Sequence, residues 1–240
     1  MIKTNNIISL FKKSKIFKVI VIILTLIILN QISAFNLFSK NFEFSLIDFR
    51  YSLAQNNSTN DDIVIVDIDT STINKLSIWP FPRHYWATVV KNLNKYGAKV
   101  IGIDVLFDNA SSNKEEDALF ATTLKSNKNI LLAARKYIEK NNNYSIEMWS
   151  KPLPIFSENN EFGFINFPYD LDGVVRKSFK QLSSSQHNSI HSFDFLTAAK
   201  YLNTSAEELL SNLKTNKFSD TIFSRSQFYI NYTLHNNFSH

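Results

Sequence analysis

Ile63-Val64-Ile65-Val66-Asp67-Ile68-Asp69, then Trp79-Pro80-Phe81-Pro82-Arg83, then Ile101-Gly102-Ile103-Asp104-Val105-Leu106-Phe107 follow one another in the first half of the chain. Two apolar runs, each delivering a carboxylate, flank an aromatic-proline elbow that closes on an arginine. Short continuous apolar runs rich in β-branched residues predict strands buried on both faces of a sheet. Between the runs, Trp86, Val89, Val90, Leu93 and Tyr96 recur at helical spacing, with Gly97 placed to end the helix. A strand–helix–strand unit of this kind pairs its strands in parallel through a right-handed crossover. The expected fold is therefore α/β, a mostly parallel sheet with flanking helices, preceded by one transmembrane helix.

The alternation continues along the chain. Residues 117–124 read as a helix and 130–134 as a third strand. Residues 137–160 are polar and poorly periodic, which predicts loops with one weak strand around Ile146. Residues 162–167 and 174–182 read as extended pieces joined by the turn Asp170-Leu171-Asp172-Gly173. Helices are expected over 193–201 and 206–213, the latter with Ser205 and Glu208 at capping-box spacing, and a last strand over 228–232.

Upstream, residues 19–39 carry no charge, and 19–29 are almost wholly Ile, Val and Leu. A bilayer crossing needs about 20 mostly apolar residues, so this stretch is long enough to be an anchor. A cleaved signal peptide is the competing reading. Ser33 and Ala34 have Gln31 and Ile32 two positions upstream, so no A-x-A-like site forms. Under both readings the chain beyond this stretch is exported. Phe42, Leu46, Phe49 and Leu53 then predict a juxtamembrane helix.

The net charge of +5 is confined to the flank of this segment. Lys3, Lys12, Lys13, Lys15 and Lys18 precede Val19, and without these five the 26 basic residues fall to 21 against 21 acids. That distribution fits the positive-inside rule and gives no basic face for nucleic acid. It divides the chain into a cytoplasmic basic tail (1–18), an anchor (19–39) and an exported domain (42–240). The chain has no cysteine, so the exported domain does not rest on disulfides. With 4 glycines it also lacks a Gly-rich phosphate loop. No cofactor is expected.

Asp67-Ile68-Asp69-Thr70 resembles the nucleophile motif of haloacid-dehalogenase-type phosphatases, and Asp104 with Asp108 resembles that family's acidic metal motif. A single crossover leaves no room for the intervening motifs, and the fifth position is Ser71. Carboxylates at strand ends that fix an internal arginine are the simpler reading. Arg83 opens a helix, where a cation faces the positive end of the macrodipole at a cost of about 0.3–1 kcal/mol, so something must compensate. Asp67, Asp69 or Asp104 are the expected partners, with Pro80 and Pro82 holding the approach extended. Asp67, Asp69, Trp79, Arg83 and Asp104 thus form either a structural elbow or a ligand crevice at the carboxyl ends of parallel strands. Asp170-Leu171-Asp172-Gly173 is not a calcium loop, because Pro168 and Phe179 would occupy ligand positions. The five histidines have no metal-ligand spacing, so no metal site is expected.

A set of ordered motifs resembles the CHASE domain of type 2, the cyclase/histidine-kinase-associated sensory extracellular family. They are Asp48-x-Arg50, Ile65 to Asp69, Trp79-Pro80-Phe81-Pro82-Arg83, Gly97-Ala98, Ile101 to Phe107, Asp117 with Ala121 and Leu124, Gly163-Phe164-Ile165-Asn166, and Asp170-x-Asp172-Gly173-Val174-Val175-Arg176. The resemblance covers 42–232. It departs at Thr70, where an acid is usual, at Ser77, where a Gly is usual, and at Thr233-Leu234, where a Gly-Pro turn is expected. It implies a bacterial receptor with one N-terminal anchor, an extracytoplasmic sensor, further transmembrane helices, and a cyclase or kinase output that this chain does not include. It also implies that the sensor fold continues past His240. The expected partners are the lipid bilayer, an unidentified extracytoplasmic small molecule and a second copy of the chain in a homodimer. An exported Asp-dependent hydrolase and a ligand-less dimerisation scaffold are the alternatives.

Overall fold

The structure, a computed structural model, describes residues 15–30, 33–53, 62–141, 144–183, 189–215 and 227–230. The chain divides into two compact units, residues 1–63 with 231–240, and residues 64–230. The basic residues before Lys15 and the tail after Ile230 lie outside the described residues.

In the first unit, α1 (Lys15–Asn30) and α2 (Ser33–Leu53) are helices. The expected helix over Phe42, Leu46, Phe49 and Leu53 is the second half of α2, and all four side chains are exposed. Among the described residues no helix is long and apolar enough to cross a membrane. The 16 residues of α1 reach about 24 Å at ~1.5 Å per residue, against a hydrocarbon core of about 30 Å.

The second unit is built on β2 (Ile130–Asn141). Its first five residues, Ile130 to Ala134, are fully buried, as a strand covered on both faces requires. On one side lies β1 (Ile101–Ile103), on the other β4 (Glu161–Phe164), both parallel to it. Because side chains alternate between faces, Ile130 and Leu132 enter one core and Leu131 the other. The first core holds Phe81, Trp86 and Val90 of the elbow and α4 (Arg83–Lys95), Phe120 and Leu124 of α5 (Lys114–Lys125), and Phe107. The second holds Phe195 and Leu196 of α7 (Phe193–Tyr201) with Ala206 and Leu210 of α8 (Ala206–Thr215). The unit is thus a parallel sheet with helices on both faces, as the alternating sequence pattern predicts. The caps agree too: Gly97 adopts φ +85 past the end of α4, and Ser205 Oγ accepts from Glu208 N at 3.0 Å.

Two expectations are corrected. Residues 63–69 form no regular element, and Ile63, Val64, Ile65 and Val66 are between 59% and 81% exposed. An apolar run becomes a buried strand only when a neighbour supplies its ladder, and no described strand pairs with this one. Only Ile68 packs against the core. The parallel unit actually formed is therefore β1–α5–β2, one step further along the chain. Residues 137–160 are not mainly loop: β2 runs on to Asn141 and pairs antiparallel with β3 (Tyr144–Ser150), and α6 (Pro154–Ser157) follows. This ribbon has two mostly exposed faces, so it carries no apolar run to announce it. Cross-strand contacts such as Lys136 Nζ to Glu147 Oε2, 2.8 Å, support it instead.

Asn166 holds the point where β2 leaves the parallel sheet for the ribbon. Its Oδ1 accepts from Lys136 N and its Nδ2 donates to Lys136 O, both at 2.7 Å. Two short antiparallel pairs complete the unit, β5 (Lys177–Phe179) with β8 (Gln227–Tyr229), and β6 (Gln181–Ser183) with β7 (Ser189–His191).

Gly163 of β4 lets α7 approach this sheet. A Cβ there would lie 2.6 Å from Phe193 Cα and 2.7 Å from Phe193 N, both backbone atoms that cannot turn away. Gly163→Ala should therefore destabilise the protein by about 1–3 kcal/mol, measured as a lower denaturant midpoint. At Gly102 the nearest atom to an added Cβ belongs to the Phe193 ring, which can move, so Gly102→Ala should cost less.

Candidate functional site

Arg83 is the first residue of α4, behind the N-cap Pro82, which offers no side-chain cap. Its compensation comes from the first turn of α5, where Glu115, Glu116 and Asp117 stand together behind the N-cap Asn113. Arg83 Nε donates to Asp117 Oδ1 at 2.9 Å and Nη2 donates to Asn109 O at 2.7 Å. Asp117 Oδ2 accepts from Ser111 N at 2.8 Å, so both carboxylate oxygens are engaged. The guanidinium carbon lies 4.8 Å from the centroid of Phe107 and 5.6 Å from that of Phe156, over ring faces that attract a cation. The side chains of Arg83 and Asp117 are 14% and 10% exposed, so the pair is largely removed from water.

Next to it, Glu116 caps the free end of α4 from outside. Its Oε2 accepts from His84 N at 2.7 Å and its Oε1 lies 2.7 Å from His84 Nδ1. The hydrogen bond with the His84 side chain, foremost, holds the Glu116 carboxyl below its ordinary range. The acids of one helix thus satisfy the donors and the cation at the start of another.

The residues expected around Arg83 lie elsewhere. Asp69 is the N-cap of α3 (Thr70–Leu76), its Oδ1 accepting from Thr72 N and Oγ1 at 2.7 Å each. The Thr72 side-chain bond leads in lowering its pKa. Asp67 and Asp104 are exposed and have no hydrogen-bond or ion-pair partner among the described residues. Trp79 is 55% exposed and meets Phe81 edge-on at 5.1 Å, while Phe81 itself is buried. Asp67, Asp69 and Asp104 are therefore not partners of Arg83. The apolar run before Asp67 joins no sheet, whereas a carboxylate one crossover later, in a helix first turn, has its backbone already oriented toward α4. The acidic triplet after Asn113 was the available signal, because acids favour a helix N-terminus and attract a neighbouring cation.

The motif after β4 makes a second clamp. Arg176 is 2% exposed and holds Asp172 with both nitrogens, Nη1 to Oδ1 at 2.9 Å and Nη2 to Oδ2 at 2.7 Å, with Asp170 Oδ2 at 3.2 Å. Gly173 takes φ +80 and donates N–H to Asp170 O at 2.9 Å, closing the expected turn. The Arg176 hydrogen bond is the main cause of the lowered Asp172 pKa.

Beside the Arg83 clamp lies an open cleft of about 480 Å³, bordered among others by Asp108, Tyr137, Trp149, Lys151, Leu153 and Phe162. Ser150 Oγ donates to Asp108 Oδ2 at 2.5 Å, and Leu153 N donates to Phe107 O at 2.9 Å, tying the end of β3 to the segment after β1.

The CHASE2 domain model matches residues 19–240, over the elbow, both clamps and the sheet between them. The chain belongs to the CHASE2 family. CHASE2 is an extracellular, sensory and non-catalytic domain family of signalling receptors. No curated protein and no solved structure matches the chain. In this CHASE2 chain the tryptophan-proline-arginine and Asp-Gly-Val-x-Arg motifs both serve as arginine clamps on acidic groups.

Arg83→Leu should destabilise the fold by about 3 kcal/mol, because Asp117 then stays buried without its cation. Asp69→Asn should be nearly neutral, since asparagine is an equally good N-cap. Equal loss in both variants on thermal melting would overturn this assignment. Acidification should weaken the fold as well. Glu116 and Asp172 bind a proton less readily when folded, so their contribution is full above the ordinary carboxylate range and is lost as pH falls from that range through their lowered folded values. Melting temperature should drop between about pH 5 and pH 3, and Glu116→Gln should flatten that drop.

Proposed function

We propose that this chain is the membrane-anchored, extracytoplasmic sensor of a bacterial receptor whose output is an adenylate/guanylate cyclase or a kinase. The observation that carries the reading is the family match beginning at residue 19, the first residue of the uncharged apolar stretch behind the five lysines. The exposure of that stretch supports it. In α1, Val19 to Ile28 is apolar apart from Thr25, and its apolar side chains are between 43% and 64% exposed. A band of this kind is disfavoured in water and favoured in a bilayer. The lysines fix the N-terminus on the cytoplasmic side and residues 42–240 outside. The receptor acts as a homodimer and responds to a small extracytoplasmic molecule, without chemistry of its own.

Fusing a reporter that is active only outside the cytoplasm after His240 tests the topology. Activity of that fusion, with an inactive cytoplasm-only counterpart, is expected. The reverse pattern would overturn the reading.

A further inference from the structure

The cleft beside the Arg83 clamp is lined by a carboxylate and an ammonium that do not neutralise each other. Asp108 accepts from Ser150 Oγ at 2.5 Å and from Asn109 Nδ2 at 2.8 Å, both neutral donors, and has no cationic partner among the described residues. Lys151 lines the same cleft and has no carboxylate partner among the described residues. Its ammonium lies 5.8 Å from the Trp149 ring centroid. Opposite charges attract, yet these two are more than 4.0 Å apart and form no direct ion pair, so a molecule carrying both charges can bridge them. The rest of the lining mixes the hydroxyl-bearing Ser150 and Ser157 with apolar and aromatic residues, including Tyr137, Trp149, Leu153 and Phe162. An open cleft of about 480 Å³ is of the size that small-ligand sites occupy.

We infer that this cleft binds a small zwitterion with an apolar body, of the free apolar amino-acid class. The ligand's ammonium meets Asp108, its carboxylate meets Lys151, and its side chain lies along Trp149 and Leu153. An anion would meet Lys151 but be repelled by Asp108, a cation the converse, and an uncharged molecule would leave both charges unanswered. The place suits a sensor. Asp108 stands between Phe107, whose ring faces the Arg83 guanidinium, and Asn109, whose carbonyl accepts from it. Leu153 and Phe156, one the N-cap and the other a residue of α6, link the opposite wall to the same guanidinium. A ligand drawn to Asp108 therefore loads the clamp that joins α4 to α5. This inference rests on the sensory reading and names the ligand class for it.

Calorimetry on the full chain in detergent tests it, with L-phenylalanine and L-leucine as probes and 2-phenylethylamine and 3-phenylpropanoate as single-charge analogues. Saturable binding of an amino acid is expected, with each analogue at least about tenfold weaker than L-phenylalanine. Asp108→Asn keeps the acceptor for Ser150 and should weaken L-phenylalanine about tenfold while tightening 3-phenylpropanoate, whose carboxylate it no longer repels. Lys151→Gln, at an exposed position, should weaken L-phenylalanine similarly and tighten 2-phenylethylamine, whose ammonium it no longer repels. Absence of saturable binding, analogues as tight as the amino acid, or substitutions without effect would each overturn the inference. An outward-facing His240 reporter alongside any of these results leaves the sensory reading standing, whereas an inward-facing one removes that reading itself.

Discussion

The ion pair between Arg83 and Asp117 is the constraint around which the second unit is arranged. It places a cation at the start of one helix, where the macrodipole disfavours it, against the first turn of another, where the macrodipole favours the anion. Each helix thus relieves the other. Phe107 and Phe156 lie against the guanidinium and keep water away, which strengthens the pair and fixes the entry of the chain from Phe81 into α4. Glu116 adds the missing cap. Without this junction α4 would have an uncapped, positively charged start facing an aromatic core.

The sheet depends on that junction indirectly. β2 is central, with β1 and β4 as parallel neighbours, and its two faces need cover from different helices. The α4–α5 layer covers one face and the α7–α8 layer the other, and Gly163 sets how closely α7 can approach. Beyond Ala134 the strand leaves the parallel sheet at Asn166 and pairs with β3, whose Trp149 and Ser150 border the cleft together with Asp108.

The sequence by itself determined the α/β class, the family, the helices over α4, α5, α7 and α8, the capping at Gly97 and Ser205, and the turn at Gly173. These are local properties: apolar periodicity, side-chain caps and positive φ act over a few residues, so they are written in neighbouring positions. Arg83 was also legible as a cation needing a partner. The partner was decided only by the tertiary structure, because which carboxylate meets it depends on how two helices pack, and Asp67, Asp69, Asp104 and Asp117 all lie on plausible element ends. The fate of residues 63–66 was likewise tertiary, since an apolar run states a wish for burial and only a neighbouring ladder grants it. The ribbon of β2 and β3 left no apolar signature, and the cleft with its oppositely charged Asp108 and Lys151 joins residues 43 positions apart, a proximity that no local pattern records.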